Sequence, residues 1–410
     1  MLWRVLLPSA PSRPASMLAF SKKEPALSVA AMRHIRHLCE QIGPRPAGSA
    51  AEEQARMYAA AQLENWGYRV ERQAVLFAPP VRVNLLEPVV SAALLLASAL
   101  WQALPWLALL MPLLVAVLPD IERLRTRWQR CTAASANLCA HPAQAAPDGS
   151  PLLIVCAHLD SARNGVFQSG VWRGYAAQTT FYTQRYAIFL ALLAVADRLV
   201  IPLPKVVLAA TILAGTLLAG WRLGMELYSL RPQQATHSPG ANDNASGVGV
   251  LLAVAEHFAK HPPRGTQLEF CLTGAEETGM HGAAARAAQL PRGAPQVLML
   301  NLDMVGAGSA LRFITRDGVL WQYATSVRLN KAIRIAHSAA NGIWYTLRSA
   351  DYLPFLQRGI AASGLQTSGS AEAELAYHTQ YDTPQVIDTG ALDLTANAVV
   401  GVVRQLDLGR

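Results

Sequence analysis

Several things are scarce in this chain, and each scarcity narrows what it can be. Only 15% of the residues are charged, and although the formal net charge is +8, Lys and Arg are scattered and no basic run is interleaved with aromatic residues. A stacking platform for nucleic acid needs that interleaving, so nucleic-acid binding is not expected. The five cysteines, Cys39, Cys131, Cys139, Cys156 and Cys271, are odd in number and contain no C-x-x-C spacing. That pattern indicates neither a disulfide framework nor a thiolate zinc site and fits a reducing compartment. Cys156 and Cys271 lie in apolar strand-like runs, where they read as small buried residues. The N-terminus lacks an unbroken apolar stretch, because Pro8, Pro11, Arg13 and Pro14 interrupt it. A secretory signal is therefore not expected, and residues 1–24 read as poorly ordered. No internal repeat is apparent.

What is abundant is apolar sequence, 52% of 410 residues, enough for a substantial core. Mean hydropathy is positive, and the excess is concentrated in two places. From Pro88 to Leu118 the chain carries no charge, and Pro105 and Pro112 interrupt it. From about Tyr186 to Trp221 the only charges are Asp197, Arg198 and Lys205, beside Pro202 and Pro204, a layout that predicts a helical hairpin with a polar turn. The rest has an α/β rhythm. Helical patterns cover about 27–42, 50–65, 247–260 and 279–289, and strand-like runs are YRVERQAVLF, SPLLIVCAHLD, TQLEFCLT and QVLMLNL. The simplest architecture is one α/β domain built from 25–80, 130–162 and 238–410, with apolar insertions at about 84–121 and 184–228.

Five short segments place acids or histidine where an apolar strand ends, the edge at which α/β sheets form binding crevices. In VCAHLDSA, His158 is a metal ligand or a solvated loop histidine; as a ligand it would have Asp160 to fix its tautomer. In SPGANDNASGVGVLL, Asp243 faces the crevice, where its two oxygens can bridge two cations, or else Asp243 or Asn244 caps the following helix. In TGAEETGMHGA, adjacent Glu276 and Glu277 repel unless a cation or proton intervenes, so one can bind metal while the other stays free as a base; nearby His281 reads as structural or substrate-facing. NLDMVG sets Asp303 at the mouth of a buried strand, and YHTQYDTP supplies His378 with Asp382 as a candidate orienting partner. Two histidines and three carboxylates with a spare Glu make the nitrogen and oxygen set of zinc or a similar divalent ion, with cobalt or manganese able to take the same ligands.

Taken in order, HLD, PGANDNASG, GAEETG, NLDMVG and AYHTQYDTP resemble the successive metal motifs of the co-catalytic zinc peptidase family that includes aminopeptidase Y and glutamate carboxypeptidase II. The resemblance covers roughly 130–162 and 238–390 and implies a three-layer α/β/α fold with a central mixed sheet. It implies two Zn2+ ions bridged by Asp243, with Glu277 and His378 completing one site and His158 and Asp303 the other. It makes Glu276 the general base and Asp160 a further catalytic-site residue. The expected activity is an aminopeptidase acting on peptides with a free N-terminus. A glutaminyl-cyclase-like acyl transfer and a catalytically silent receptor are the competing functions on the same fold. Oligomeric state and side-chain preference have no signature in the sequence.

The two insertions depart from this family. A single membrane crossing by the first would put His158 and Asp160 on the opposite side from the other ligands, so each insertion must leave and return on one face as a hairpin. Half of the first stretch is about 15 residues, short of the roughly 17–25 of a clean span, which predicts shallow insertion there; the second is marginally long enough. Membrane contact is expected, and Arg123, Arg125, Arg127 and Arg130 would set the catalytic domain on the cytoplasmic side.

Overall fold

The computed structural model describes residues 26–79, 86–128, 130–143, 147, 149–164, 175–229, 237–346 and 349–408, so residues 1–24 lie outside it. Helix α1 (Leu27–Arg36) runs on as a π-turn over His37–Ile42, and α2 (Ala50–Asn65) leads into β1 (Tyr68–Phe77). Helices α3 (Leu86–Leu100) and α4 (Pro105–Trp128) precede β2 (Ala133–Pro142) and β3 (Leu152–His158). After α5 (Tyr175–Leu199) and α6 (Lys205–Ser229) come α7 (Ser246–Lys260), β4 (Gln267–Thr273), α8 (His281–Ala288), β5 (Val297–Leu302), β6 (Ala310–Asp317) and β7 (Tyr323–Ala324). The chain closes with α9 (Val327–Ala336), β8 (Asn341–Tyr345), α10 (Tyr352–Gln357), β9 (Ala361–Ser368), α11 (Ala371–Ala376) and α12 (Thr389–Leu408).

The strands form one mixed sheet in the order β1-β2-β4-β3-β5-β9-β6-β7, with β8 beside β6. The centre is parallel, β4, β3, β5 and β9, and antiparallel strands flank it. Strand period explains the layering. Leu153, Val155 and Ala157 of β3, Leu268, Phe270 and Leu272 of β4, and Leu298, Leu300 and Leu302 of β5 join one core with α1, α2, α7, α9 and α12. The alternate residues Ile154, Cys156, Cys271, Val297 and Met299 join the opposite core under α8 and α10. Two buried faces thus account for the continuous apolar runs and give the expected three-layer α/β/α arrangement.

The parallel strands all end on one edge, and both insertions leave from it. Strand β2 runs antiparallel to β4 with Leu138 opposite Leu272, so its N-terminal end reaches past the carboxyl end of β4. There the β1–β2 ladder shuts at Phe77 opposite Ala133, with Thr132 N donating to Phe77 O at 3.1 Å. The ends of the second insertion also meet, through the Arg163–His237 bridge and a 2.9 Å bond from Ser238 N to Ala162 O.

The insertions differ in extent from the sequence expectation. Helix α4 continues to Trp128 through the basic segment, and α5 starts at Tyr175. Instead of two separate hairpins, they make one bundle: α3 packs on α6 and α4 on α5. Val90, Leu94, Trp101, Met111, Leu190 and neighbours fill its interior.

Candidate metal centre

The carboxyl ends of β3 and β5 and the loops following β4, preceding α7 and preceding the last 3-10 turn bring the five expected ligands together. His158, the last residue of β3, points Nε2 at Asp243 Oδ1, 3.2 Å away, and lies 3.8 Å from Asp303 Oδ1. His378 Nε2 is 3.0 Å from Asp243 Oδ2 and 3.3 Å from Glu277 Oε2. Asp243 therefore turns one oxygen to each histidine. His158, Asp243 and Asp303 form one group, Asp243, Glu277 and His378 another, and His158, Glu276 and Glu277 a third, with the donor atoms of each within 4.8 Å of one another. Glu276 Oε2 is 3.9 Å from His158 Nε2.

Two carboxylates hold the ligand loops by their main chain. Asp160 accepts hydrogen bonds from the Glu276 and Glu277 amides, both at 3.0 Å, and is completely buried. His158 Nδ1 is 3.0 Å from the Asp160 main-chain oxygen, against 3.6 Å from its carboxylate. Its tautomer is thus set chiefly by a carbonyl, and the Asp160 side chain serves the glutamate turn. Asp382 accepts from the Asn242 and Asp243 amides at 2.7 and 3.0 Å, so its carboxylate positions the Asp243 loop. Ala275, Met304 and His378 have positive φ of 56°, 53° and 53°, a conformation that costs non-glycine residues energy and clusters at sites the surrounding fold constrains. Gly240 (φ 62°) precedes Asp243, and a Cβ there would lie 2.5 Å from Asp243 O, so glycine is required.

The sequence reading passed over two supports. Arg45 is buried, and its guanidinium donates to Leu159 O, Leu38 O, Gly43 O, Pro239 O and Gly240 O, lacing the His158 and Asp243 loops to the N-terminal turn. Glu52 accepts from Gly48 N and Ser135 Oγ and, at 3.3 Å, from Ala275 N, beside the glutamate pair. Its signal was present as Ser49-x-x-Glu52, a capping box in which Glu52 N donates to Ser49 Oγ at 3.1 Å. Arg45 has no such signature. His281, at the first turn of α8, faces Phe77 and lies 3.4 Å from the Ala78 amide, against the joint of the first insertion and away from the ligand cluster.

The electrostatics are those of a cavity built around positive charge. Burial alone would depress both histidines, but Glu276 and the surrounding carboxylates raise His158 well above the usual range, and Glu277 and Asp243 raise His378 to about 10. Burial pushes the Asp243 carboxyl up, yet the two histidines outweigh it and hold it below the ordinary range. Burial raises both Glu276 and Glu277; the Glu277 charge adds to the rise of Glu276, and the Asp243 charge to that of Glu277. His158 Nε2 and Glu277 Oε1 are buried without a hydrogen-bond partner, as donors awaiting a cation would be. The two-nitrogen, three-carboxylate set suits zinc. A separate buried group, Cys139, Glu269 and Cys271, does not: Arg286 already binds both oxygens of Glu269.

Residues 228–403 match the family described as Peptidase family M28. Aminopeptidase YwaD of Bacillus subtilis is 29% identical over 177 residues, 40% of this chain and 37% of that protein; the chain thus spans little more than a third of that relative's length. Among solved structures, a zinc aminopeptidase from Bacillus subtilis superposes with a TM-score of 0.55 at 17% identity, covering 93% of this chain and 95% of that one. Porphyromonas gingivalis glutaminyl cyclase gives 0.52 at 16% identity, covering 94% and 100%. At such identities the superpositions speak for the fold, and the family resemblance carried by the five motifs stands.

Proposed function

We propose, from the match of residues 228–403 to Peptidase family M28, that this chain is a zinc-dependent aminopeptidase releasing N-terminal residues from peptides. The observation that carries the reading is Asp243, whose two oxygens each face a different histidine within 3.2 Å, the arrangement that lets one carboxylate serve two cations. One Zn2+ would be held by His158, Asp243 and Asp303, and a second by Asp243, Glu277 and His378. Bound zinc supplies Lewis acidity toward the scissile carbonyl and acidity to a water. Glu276, whose donor atoms also group with those of His158 and Glu277, would accept that water's proton and return it to the leaving amine. Asp160 acts as a positioning residue, since it fixes the main chain of Glu276 and Glu277. The catalytic unit consists of 25–80, 130–162 and 238–410, interrupted by the two insertions. Those insertions contact a membrane, with the catalytic unit on the cytoplasmic side next to Arg123, Arg125, Arg127 and Arg130.

The deciding experiment is zinc content coupled to release of amino acid from a peptide with a free N-terminus and from its acetylated twin. Release that needs metal and fails on the acetylated peptide supports the proposal. Cyclisation of an N-terminal glutamine without hydrolysis would instead mark a glutaminyl cyclase. Glu276→Gln should lower kcat by at least about 10²-fold with the zinc content retained; loss of zinc would show that the base is misassigned.

A further inference from the structure

The four inserted helices distribute polarity in reverse. Ser91, Ser98, Thr183, Thr211 and Arg222 are buried in the bundle, while Leu95, Leu109, Leu113, Phe189, Leu192, Leu213 and Leu217 are exposed around it. Ser98, Thr183, Thr211 and Arg222 have hydrogen-bond partners within the bundle, whereas Ser91 Oγ is buried without one among the described residues. Trp101 Nε1 donates to Thr211 Oγ1 (2.9 Å), Tyr186 Oη to Thr211 O (2.6 Å) and Arg222 Nη1 to Thr183 Oγ1 (3.0 Å). A water-facing bundle hides its leucines and displays such groups; a lipid-facing one must do the opposite. The window within Lys205–Met225 that is long and apolar enough to span a bilayer is only 22% buried, whereas a core helix of a soluble fold is mostly buried.

The two ends of the bundle carry features that bear on depth and direction. The hairpin tips meet, because Gln102 Nε2 donates to Leu203 O and Arg198 Nη2 to Gln102 O, and Asp197 caps its own turn at Leu203 N. Beyond the tips, Leu199, Val200, Ile201 and Val206 are all exposed. Phe181 and Tyr182, with Arg185 over the Phe181 ring, lie toward the other end of α5, as interfacial aromatics do. From Phe181 to Leu199 is about 27 Å of helix rise, close to the roughly 30 Å hydrocarbon thickness. The base is tied to the sheet. Trp128 and Arg130 are two residues apart, hence within about 7 Å, and the ladder of β2 begins at Ala133 on the edge that carries the metal ligands. The second insertion closes at Arg163–His237, five residues after His158 on the same edge.

We propose that the two insertions form a single lipid-embedded bundle that holds the ligand-bearing edge of the sheet against the bilayer, so that preferred substrates are peptides whose N-termini lie at a lipid surface. The substrate class rests on the peptidase reading; the embedding does not. Confinement of enzyme and substrate to one surface raises their effective concentration without any new contact.

The test uses the zinc-loaded full chain in vesicles of phosphatidylcholine and phosphatidylglycerol. Two peptides share their N-terminal residues, and only one carries a C-terminal palmitoyl chain. The chain should stay with floated vesicles through alkaline carbonate, and kcat/KM should favour the acylated peptide by about 10²-fold, a preference that collapses in detergent. Leu213→Glu with Leu217→Glu should abolish flotation and leave hydrolysis of the soluble peptide in detergent unchanged. Release by carbonate, a detergent-free soluble oligomer that hides the apolar face, or flotation of the glutamate variant overturns the embedding. Equal kcat/KM for both peptides in vesicles overturns the substrate class. No release from either peptide in detergent sinks the peptidase reading and the substrate class with it, while flotation still decides the embedding.

Discussion

Asp160 shows how a single side chain can matter without touching a substrate. Its two oxygens take the Glu276 and Glu277 amides, so it fixes the turn that must point one carboxylate at the cation cavity and leave the other free. Asp160→Ala leaves two buried N–H groups unpaired, and supports of this kind are worth about 10- to 100-fold in metal affinity or activity. Zinc affinity by chelator competition should fall by that factor; an unchanged affinity would mean that the turn is held by Glu52 alone. Asp351 makes a pH prediction. It is fully buried and accepts from Thr273 Oγ1, and burial raises its carboxyl to about 7, with Asp160 and Asp303 adding to the rise and His158 opposing it. A folded-state value above the ordinary 3.8 means that the fold binds a proton that the unfolded chain has released between about pH 4 and 7. The contribution is therefore present at the acid end and is lost as pH rises from about 4 to 7, at up to about 1.4 kcal/mol per unit, with no further loss above 7. Asp351→Asn cannot ionise. In urea denaturation of chelator-treated protein it should be more stable than the parent above pH 7, and the advantage should vanish toward pH 4.

Elements were legible where one physical signal acted alone. Strand β1 coincides with the extended run YRVERQAVLF, and α2 with the helical pattern over 50–65, because period and turn residues agree there. The apolar runs of β3, β4 and β5 read as strands because both faces are buried. His158, Asp303 and the glutamate pair were visible at strand ends, and Asp243 and His378 in loops that follow no strand, but the cross-supports were not. Arg45 and Asp382 act through main-chain groups far away in sequence, and no local pattern encodes a contact from Arg45 to Pro239. The reach of α4 to Trp128 and the start of α5 at Tyr175 also escaped the reading, since polar helix and loop share a composition. So did the union of the two hairpins, which depends on one close approach: a Cβ on Gly215 of α6 would lie 2.6 Å from Ser98 Cβ of α3. Gly215→Val should therefore force α3 and α6 apart and expose the bundle to proteolysis. Protection equal to the parent's would show that the packing is looser than this.

At the scale of the whole molecule, catalytic unit and bundle share one chain yet touch the sheet through two joints. Replacing 79–131 by a short hairpin turn continues a ladder already closed at Phe77–Ala133, and a turn in place of 164–236 continues the Arg163–His237 bridge. The doubly shortened chain should fold, bind zinc and stay in solution without detergent, whereas the full chain should need detergent or lipid. Sedimentation of both with and without vesicles reads the difference, and equal solubility of the two would count against a lipid-facing bundle. The joints have a consequence for descent as well. A sequence that crosses itself at two finished seams can gain or shed its anchor in two excisions, with the ligand loops left in register, so relatives of this protein should include soluble ones whose chains turn tightly at the same two places.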